Sequence, residues 1–269
     1  MSSQLIQPLL SVRAMSMRFG GVLAVNNVSF DVLPREVFTL IGPNGAGKTT
    51  VFNVISRIYR PTSGHVEYQA AEGTVRLTDQ APHRVAALGI ARTFQNIELF
   101  ENATVLNNLL IGQHVRKQSR FLQDLLFTPA VRRAEFDFRE SVEEVIELLD
   151  LQHYRDLLVA GLPYGVRKVV ELGRALSMRP RLLLLDEPSS GLNVEETDDM
   201  AFWIRDIRDK LGVSVLMVEH DMSLVSKVSD RVLAMSQGEV LAVGDATEVQ
   251  SNPLVIEAYL GATAVASAA

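Results

Sequence analysis

Apolar residues arrive along this chain in two rhythms. From Leu9 to Met17, and again from Val22 to Val32, apolar and polar residues roughly alternate, the period of a strand with one buried face. Val37-Phe38-Thr39-Leu40-Ile41 is instead a continuous run ended by Gly42, and Leu182 to Leu185 and Val213 to Val218 share its character. Such runs predict strands buried on both faces of a parallel sheet. Helical spacing is found at Val51, Phe52, Val54, Ile55 and Ile58, then over Lys168 to Met178, Glu195 to Lys210 and Met222 to Val228. Strands alternating with helices predict an α/β fold around a parallel sheet. From about Asn96 to Met178 no strand-like run interrupts a helical pattern, and Val142, Val145, Ile146, Leu148 and Leu149 form one apolar stripe. We therefore expect a single domain over residues 1–269. Residues 1–95 and 179–261 would form its strand-bearing part, 96–178 an inserted helical subdomain, and the small residues 262–269 a frayed tail.

Composition narrows the function. With 269 residues, 47% of them hydrophobic, the chain can bury a sizeable core. Its 26 basic against 32 acidic residues give a net charge of −6, which argues against a broad phosphate-binding surface and hence a nucleic-acid partner. The absence of cysteine excludes a disulfide scaffold, thiolate metal sites and a thiol nucleophile. No stretch approaches the roughly 18 apolar residues of a membrane-spanning helix, and Met1 to Leu10 places no Lys or Arg ahead of its apolar run, unlike a secretory leader. A cytoplasmic domain is expected.

The sharpest chemical signal is Gly42-Pro43-Asn44-Gly45-Ala46-Gly47-Lys48-Thr49, which fits the phosphate-binding pattern G-x-x-x-x-G-K-[ST]. Glycines let backbone N–H groups converge on an anion, and the following helix directs the positive end of its dipole to the same point. Lys48 would reach the β- and γ-phosphates of a nucleotide and the Thr49 hydroxyl would bind Mg²⁺. The loop lies between a predicted buried strand and a helix, the context that this chemistry needs. Leu182 to Leu185 then run into Asp186 and Glu187. Alternation along a strand would point the two acids to opposite faces, so that Asp186 holds Mg²⁺ through water while Glu187 polarises the attacking water as general base. His220 directly follows the apolar run Val213 to Val218, at a strand end where it could contact the γ-phosphate. The other histidines, His65, His83, His114 and His153, have no metal-ligand spacing and read as surface or packing residues.

These motifs and their order resemble the ATP-binding subunits of ABC transporters over nearly the whole chain. The resemblance implies a RecA-like P-loop NTPase core with an N-terminal antiparallel β subdomain and an inserted helical subdomain. It implies that ATP contacts Phe19 (stacking on adenine), Val25, Gly42, Pro43, Asn44, Gly45, Ala46, Gly47, Lys48, Thr49, Thr50 and Gln95, with Lys48, Glu187 and His220 catalytic. Gln95, in Thr93-Phe94-Gln95-Asn96, resembles the glutamine that joins Mg²⁺ and γ-phosphate to the helical subdomain, and Ser190, Gly191, Leu192 and Asn193 resemble the D-loop. Mg²⁺ would then be held by Thr49, Gln95 and Asp186.

The family's signature is normally L-S-G-G-Q, whereas this chain has Leu162-Pro163-Tyr164-Gly165-Val166. In the family this segment contacts the γ-phosphate bound by the opposite protomer of a head-to-tail dimer. Pro163 offers neither the serine hydroxyl nor a backbone N–H, while Gly165 permits close backbone approach. The Tyr-Gly pair, the length from Gly112 to Arg139, and the ending Val255-Ile256-Glu257-Ala258-Tyr259-Leu260-Gly261 resemble the branch serving branched-chain amino-acid uptake. Related branches handle urea, amides or aromatic acids, and lipopolysaccharide export ATPases share the ending. The expected partners are a second ATP-binding subunit (identical or different), two membrane-spanning permeases and a solute-binding protein, with this chain peripheral on the cytoplasmic face of the inner membrane.

Two rival readings are weaker. A soluble ABC ATPase for DNA repair or translation typically carries a long coiled-coil insertion or two cassettes, and neither is found. A non-hydrolysing module is suggested by Pro163 and Val166 but opposed by Glu187 and His220. Residues 112–139 set Arg116, Lys117, Arg120, Arg132 and Arg133 beside Phe121, Leu122, Leu125, Leu126 and Phe127. Such a stretch can lie on a membrane surface, although packing inside the helical subdomain with solvated basic residues is the plainer reading.

Overall fold

The computed structural model describes residues 7–93, 97–113 and 129–266. The strands are β1 (Leu10–Phe19), β2 (Val22–Val32), β3 (Val37–Ile41), β4 (Ser63–Ala70), β5 (Gly73–Arg76), β6 (Ile90–Arg92), β7 (Leu182–Asp186), β8 (Ser214–Val218), β9 (Arg231–Ser236) and β10 (Glu239–Gly244). The helices are α1 (Lys48–Ile55), α2 (Pro82–Ala87), α3 (Val105–Gly112), α4 (Pro129–Leu148), α5 (Tyr164–Leu176), α6 (Val194–Asp209), α7 (Met222–Val228), α8 (Ala246–Ser251) and α9 (Pro253–Ala266).

Two sheets result. The first, in order β2-β1-β4-β5, is antiparallel throughout. The second has the order β10-β9-β3-β8-β7-β6, in which β9, β3, β8, β7 and β6 run parallel and β10 closes one edge antiparallel. The three apolar runs read from the sequence are its central strands, and every residue of β3, β7 and β8 is buried. Their alternation is visible in the packing. Phe38, Leu40, Leu182, Leu184, Leu216 and Val218 join the core shared with the antiparallel sheet and α1. Val37, Leu183, Leu185, Val215 and Met217 face the opposite way, into the core shared with α3, α5 and α6. Both faces are covered, as a parallel sheet requires.

The central segment is helical. Leu109 of α3 and Leu149 close over Gly173 of α5, where an added Cβ would lie 3.2 to 3.3 Å from their methyl groups. Helix α5 starts at Tyr164, four residues earlier than its apolar periodicity suggests, with Pro163 as N-cap at φ −53°. Helix α9 continues through Ala266, into the residues read as a tail, and 267–269 lie outside the described residues. Residues 114–128, most of the basic stretch, lie outside the described residues. Among those described, no helix is long and apolar enough to cross a membrane.

Candidate functional site

Three neighbouring strands of the second sheet, β3, β8 and β7, deliver their C-terminal ends to one place. In an open parallel sheet this edge is where ligands bind. The loop from Gly42 to Gly47 leaves β3 and enters α1. Gly42 (φ +146°) and Gly47 (φ +99°) must be glycine, since a Cβ would lie 2.1 Å from the Met235 carbonyl oxygen and 2.5 Å from that of Ala24. The loop curls around Lys48, whose Nζ donates to the carbonyls of Gly42 (2.6 Å) and Pro43 (3.1 Å). Burial lowers the Lys48 pKa, and the charges of Glu187 and Asp186 oppose that shift. Thr49 is exposed and Thr50 half-buried at the start of α1. An anion above this loop would meet backbone N–H groups, a helix N-terminus and a held ammonium together.

Asp186 ends β7, and its Oδ2 accepts from Arg92 Nη2 at 2.8 Å; their side chains are 5% and 9% exposed. Arg92 also donates to Asn53 Oδ1 (2.8 Å) and Ser56 Oγ (2.6 Å), which ties β7 to the helix that follows the loop. Glu187 is not in the strand. It adopts φ +51°, a left-handed conformation uncommon for a side-chain-bearing residue. Its divergence from Asp186 therefore comes from a turn in the backbone, not from the strand alternation that the sequence pattern suggests. Its N–H donates to Val218 O (2.9 Å) and its carbonyl accepts from Ser190 N (3.1 Å). His220, after β8, brings Nδ1 to 4.0 Å from Glu187 Oε2, beyond direct hydrogen-bonding distance, and to 3.6 Å from Glu219 Oε2.

Sequence reasoning passed over three residues here. Arg92 has no local signal, since its partner is 94 positions away. Glu219 is completely buried, and Oε1 accepts from Ser189 N and Oγ while Oε2 accepts from His220 N and Asp221 N. Its signal was an acid between an apolar strand and His220. Lys168 is 5% exposed, and its Nζ donates to the carbonyls of Glu187 (2.8 Å) and Pro188 (3.3 Å). Its signal was a lysine on the same helical face as Leu172 and Ala175.

The segment Leu162 to Gly165 lies against its own chain. Leu162 is in the helical core, Pro163 is exposed, and the Tyr164 ring packs on Gly191, its hydroxyl 3.5 Å from the Ser190 carbonyl. Gly165 is buried, and a Cβ there would lie 2.2 Å from Glu196 Oε1. Within its own chain this glycine allows the close approach of Glu196. Asn193 and Glu196 form the capping box of α6, with Asn193 Oδ1 accepting from Glu196 N at 2.9 Å. Phe19 is 41% exposed, edge-on to Tyr59 at 5.2 Å, and so presents a ring. Val25 is fully buried, and its methyl lies 3.3 Å from a Cβ built on Gly47. It packs against the nucleotide loop at Gly47. Gln95 lies outside the described residues.

A strand, a glycine-lined phosphate cradle with a held lysine, and an Asp-Glu pair at the end of the next strand but one define a P-loop nucleotide-binding protein. The family model "ABC transporter" matches residues 25–190, and "Branched-chain amino acid ATP-binding cassette transporter" matches residues 239–265. The chain is 42% identical over 255 residues to the high-affinity branched-chain amino acid transport ATP-binding protein BraF of Pseudomonas aeruginosa, covering 95% of this chain and 98% of that protein. It is 41% identical over 260 residues to LivG of Escherichia coli, with the same shares covered. Among solved structures, the ADP conformation of an ATP-binding cassette of an ABC transporter superimposes with a TM-score of 0.81 at 31% identity, covering 95% of this chain and 99% of that one. A nucleotide-free cassette gives 0.79 at 30% identity, covering 94% and 99%. The chain belongs to the ATP-binding cassettes of ABC transporters, in the group of the branched-chain amino acid transport ATP-binding proteins. As a member it binds ATP and is a transport ATPase.

Proposed function

We propose that this chain powers an ABC importer for branched-chain amino acids or a related small polar solute, from the cytoplasmic face of the membrane. The observation that carries the reading is the convergence of the phosphate cradle, Glu187 and His220 on three adjacent strand ends. The solute is argued from the names of the relatives and from the C-terminal match, since no residue of an ATP-binding subunit needs to touch it.

In this reading the loop amides from Gly42 to Gly47, the N-terminus of α1 and Lys48 bind the β- and γ-phosphates, and Thr50 lies in the same turn. Phe19 offers its exposed ring to adenine. The Thr49 hydroxyl and the Asp186 carboxylate are hard oxygen donors of the kind that Mg²⁺ takes, and Gln95 would complete the set. The metal would supply charge neutralisation across the phosphates. Glu187 takes the proton of the attacking water. His220 holds the γ-phosphate side of that water's path, and the Glu219 carboxylate fixes the His220 backbone N–H. Two such cassettes would face each other, Leu162 to Gly165 and Ser190 to Asn193 of each meeting the nucleotide of the other. Membrane permeases would dock beside the exposed Glu98 and Phe100.

The test is purification of the chain from its own membranes, with cysteines introduced at Glu98 and Phe100. Capture of two multi-span proteins, together with ATP-dependent uptake of leucine or valine in proteoliposomes, is expected. Cross-links between ATPase chains alone, at both positions, would overturn the docking assignment. Uptake of an unrelated solute class would overturn the solute.

A further inference from the structure

The carbonyl of the base-bearing turn is held by a charged side chain from the helical insertion. We infer that Lys168 is a positioning residue for Glu187, making ATP hydrolysis conditional on how helix α5 is seated. The inference rests on Glu187 as general base.

Among the described residues, Val218, Ser190 and Lys168 hold the Glu187 backbone. Its N–H donates to Val218 O of β8, and its carbonyl accepts both from Ser190 N and, at 2.8 Å, from Lys168 Nζ. The first two holds belong to the sheet and to the turn itself. The third comes from α5, the helix that begins at the signature segment. Left-handed backbone at a glutamate persists only where the surroundings over-determine it, and φ at Glu187 is +51°. The Lys168 ammonium also reaches Pro188 O at 3.3 Å, so it bridges consecutive carbonyls and resists rotation of the peptide plane between them.

A lysine is a costly way to fill this space. It is 5% exposed beside Val169, Val170 and Leu172 of its own helix, where an apolar side chain would pack without desolvating a charge. Burial lowers its pKa, and the negative charges of Glu219, Glu171, Glu187 and Asp186 counter that shift. Those acids lie on α5 and at the ends of β7 and β8, so the ammonium sits where the helical insertion meets the acid-bearing strand ends. Any motion of α5 away from the sheet withdraws the ammonium from two carbonyls and leaves the turn with fewer restraints.

The test compares Lys168→Met, Lys168→Gln and Lys168→Arg with the parent, alone and combined with Glu187→Gln, in single-turnover hydrolysis and ATP-binding assays. Expected are a rate about 10- to 100-fold lower for Lys168→Met, near-parental ATP affinity, and partial recovery with Arg or Gln, which still donate. In the Glu187→Gln background the Lys168→Met change should cost nothing further, because both act through one group. A parental rate for Lys168→Met overturns the inference, as does an equal loss in both backgrounds, which would give Lys168 a role independent of Glu187. A parental rate for Glu187→Gln alone is a separate result: it removes the base assignment itself and the inference with it.

Discussion

The buried carboxylate of Glu219 offers the most exacting test of the site's construction. Replacing it with glutamine keeps shape and volume but leaves one oxygen where there were two. The two oxygens now receive four donors: Ser189 N (2.9 Å), Ser189 Oγ (2.5 Å), His220 N (2.6 Å) and Asp221 N (3.0 Å). The least costly arrangement turns the amide oxygen toward His220 and Asp221 and the NH₂ toward Ser189, whose hydroxyl can rotate to accept. One donor, Ser189 N–H, is then left facing an NH₂ group. An orphaned buried donor costs about 1–3 kcal/mol, and exchanging charged for neutral acceptors weakens the others by about 1 kcal/mol. Glu219→Gln should therefore lower stability by about 2–4 kcal/mol, with a Tm lower by about 5–15 °C for a chain of this size. Glu219→Ala should cost more, since every donor loses its partner. Urea unfolding followed by circular dichroism, beside an ATPase assay, gives both readouts. Hydrolysis should fall further than ATP affinity, because the His220 backbone is then held by a neutral, weaker acceptor while the loop before α1 is untouched. A Glu219→Gln protein within about 0.5 kcal/mol of the parent, hydrolysing at the parental rate, would refute the reasoning.

Other changes probe the rest of the molecule. Lys48→Ala should abolish hydrolysis and greatly weaken ATP binding by equilibrium dialysis, since the held ammonium is the cation of the cradle; unchanged affinity would remove that assignment. Glu187→Gln should bind ATP yet hydrolyse at least about 10²-fold more slowly, and light scattering should show an ATP-stabilised dimer. Pro163→Ser places a hydroxyl at the N-cap of α5, a position with no side-chain cap now, and should stabilise by about 0.5–2 kcal/mol in urea unfolding; ATP-induced dimerisation should strengthen as well, and losses in both would count against the change. Tyr68, fully buried, has its pKa raised to about 12 by burial, with Arg181 opposing. Its neutral form is favoured in the folded state, so its contribution is intact below pH 10 and is lost as pH rises toward 12. Ultraviolet titration should show this phenol ionising late among the five tyrosines, and ionisation near pH 10 in the folded protein would contradict its burial.

What could be read from the residues alone follows physical lines. β3, β7 and β8 announce themselves because burial on both faces leaves unbroken apolar runs, and the loop after β3 because its glycines and lysine occur in a rare order. β4, β5 and β10 went unremarked because each keeps one side or end in solvent, so that Glu67, Arg76 and Glu239 dilute the pattern. β6 spans only Ile90–Arg92, too short for any period to show. The same limit applies to the site. Asp186, Glu187 and His220 are legible because each lies at or just past the end of an apolar run, and Lys48 because it closes the glycine pattern after β3. Arg92 against Asp186, Lys168 against Glu187 and Glu196 against Gly165 are pairings between distant segments, and nothing local marks them.

The C-terminal helix bears on where this chain can be shortened. Tyr259 lies on α9 against Ile41, Val232 and Ala234, and burial raises its pKa. Val255, four residues earlier, is 3% exposed in a cluster with Ile41, Val232 and Ala234. Residues past the last strand therefore form part of the floor beneath the first glycine of the nucleotide loop. A minimal cassette cut after β10 would keep every motif yet leave Ile41 and Gly42 open to water. Useful boundaries for expression and tagging fall beyond Tyr259, and an affinity handle there should be spaced away from α9.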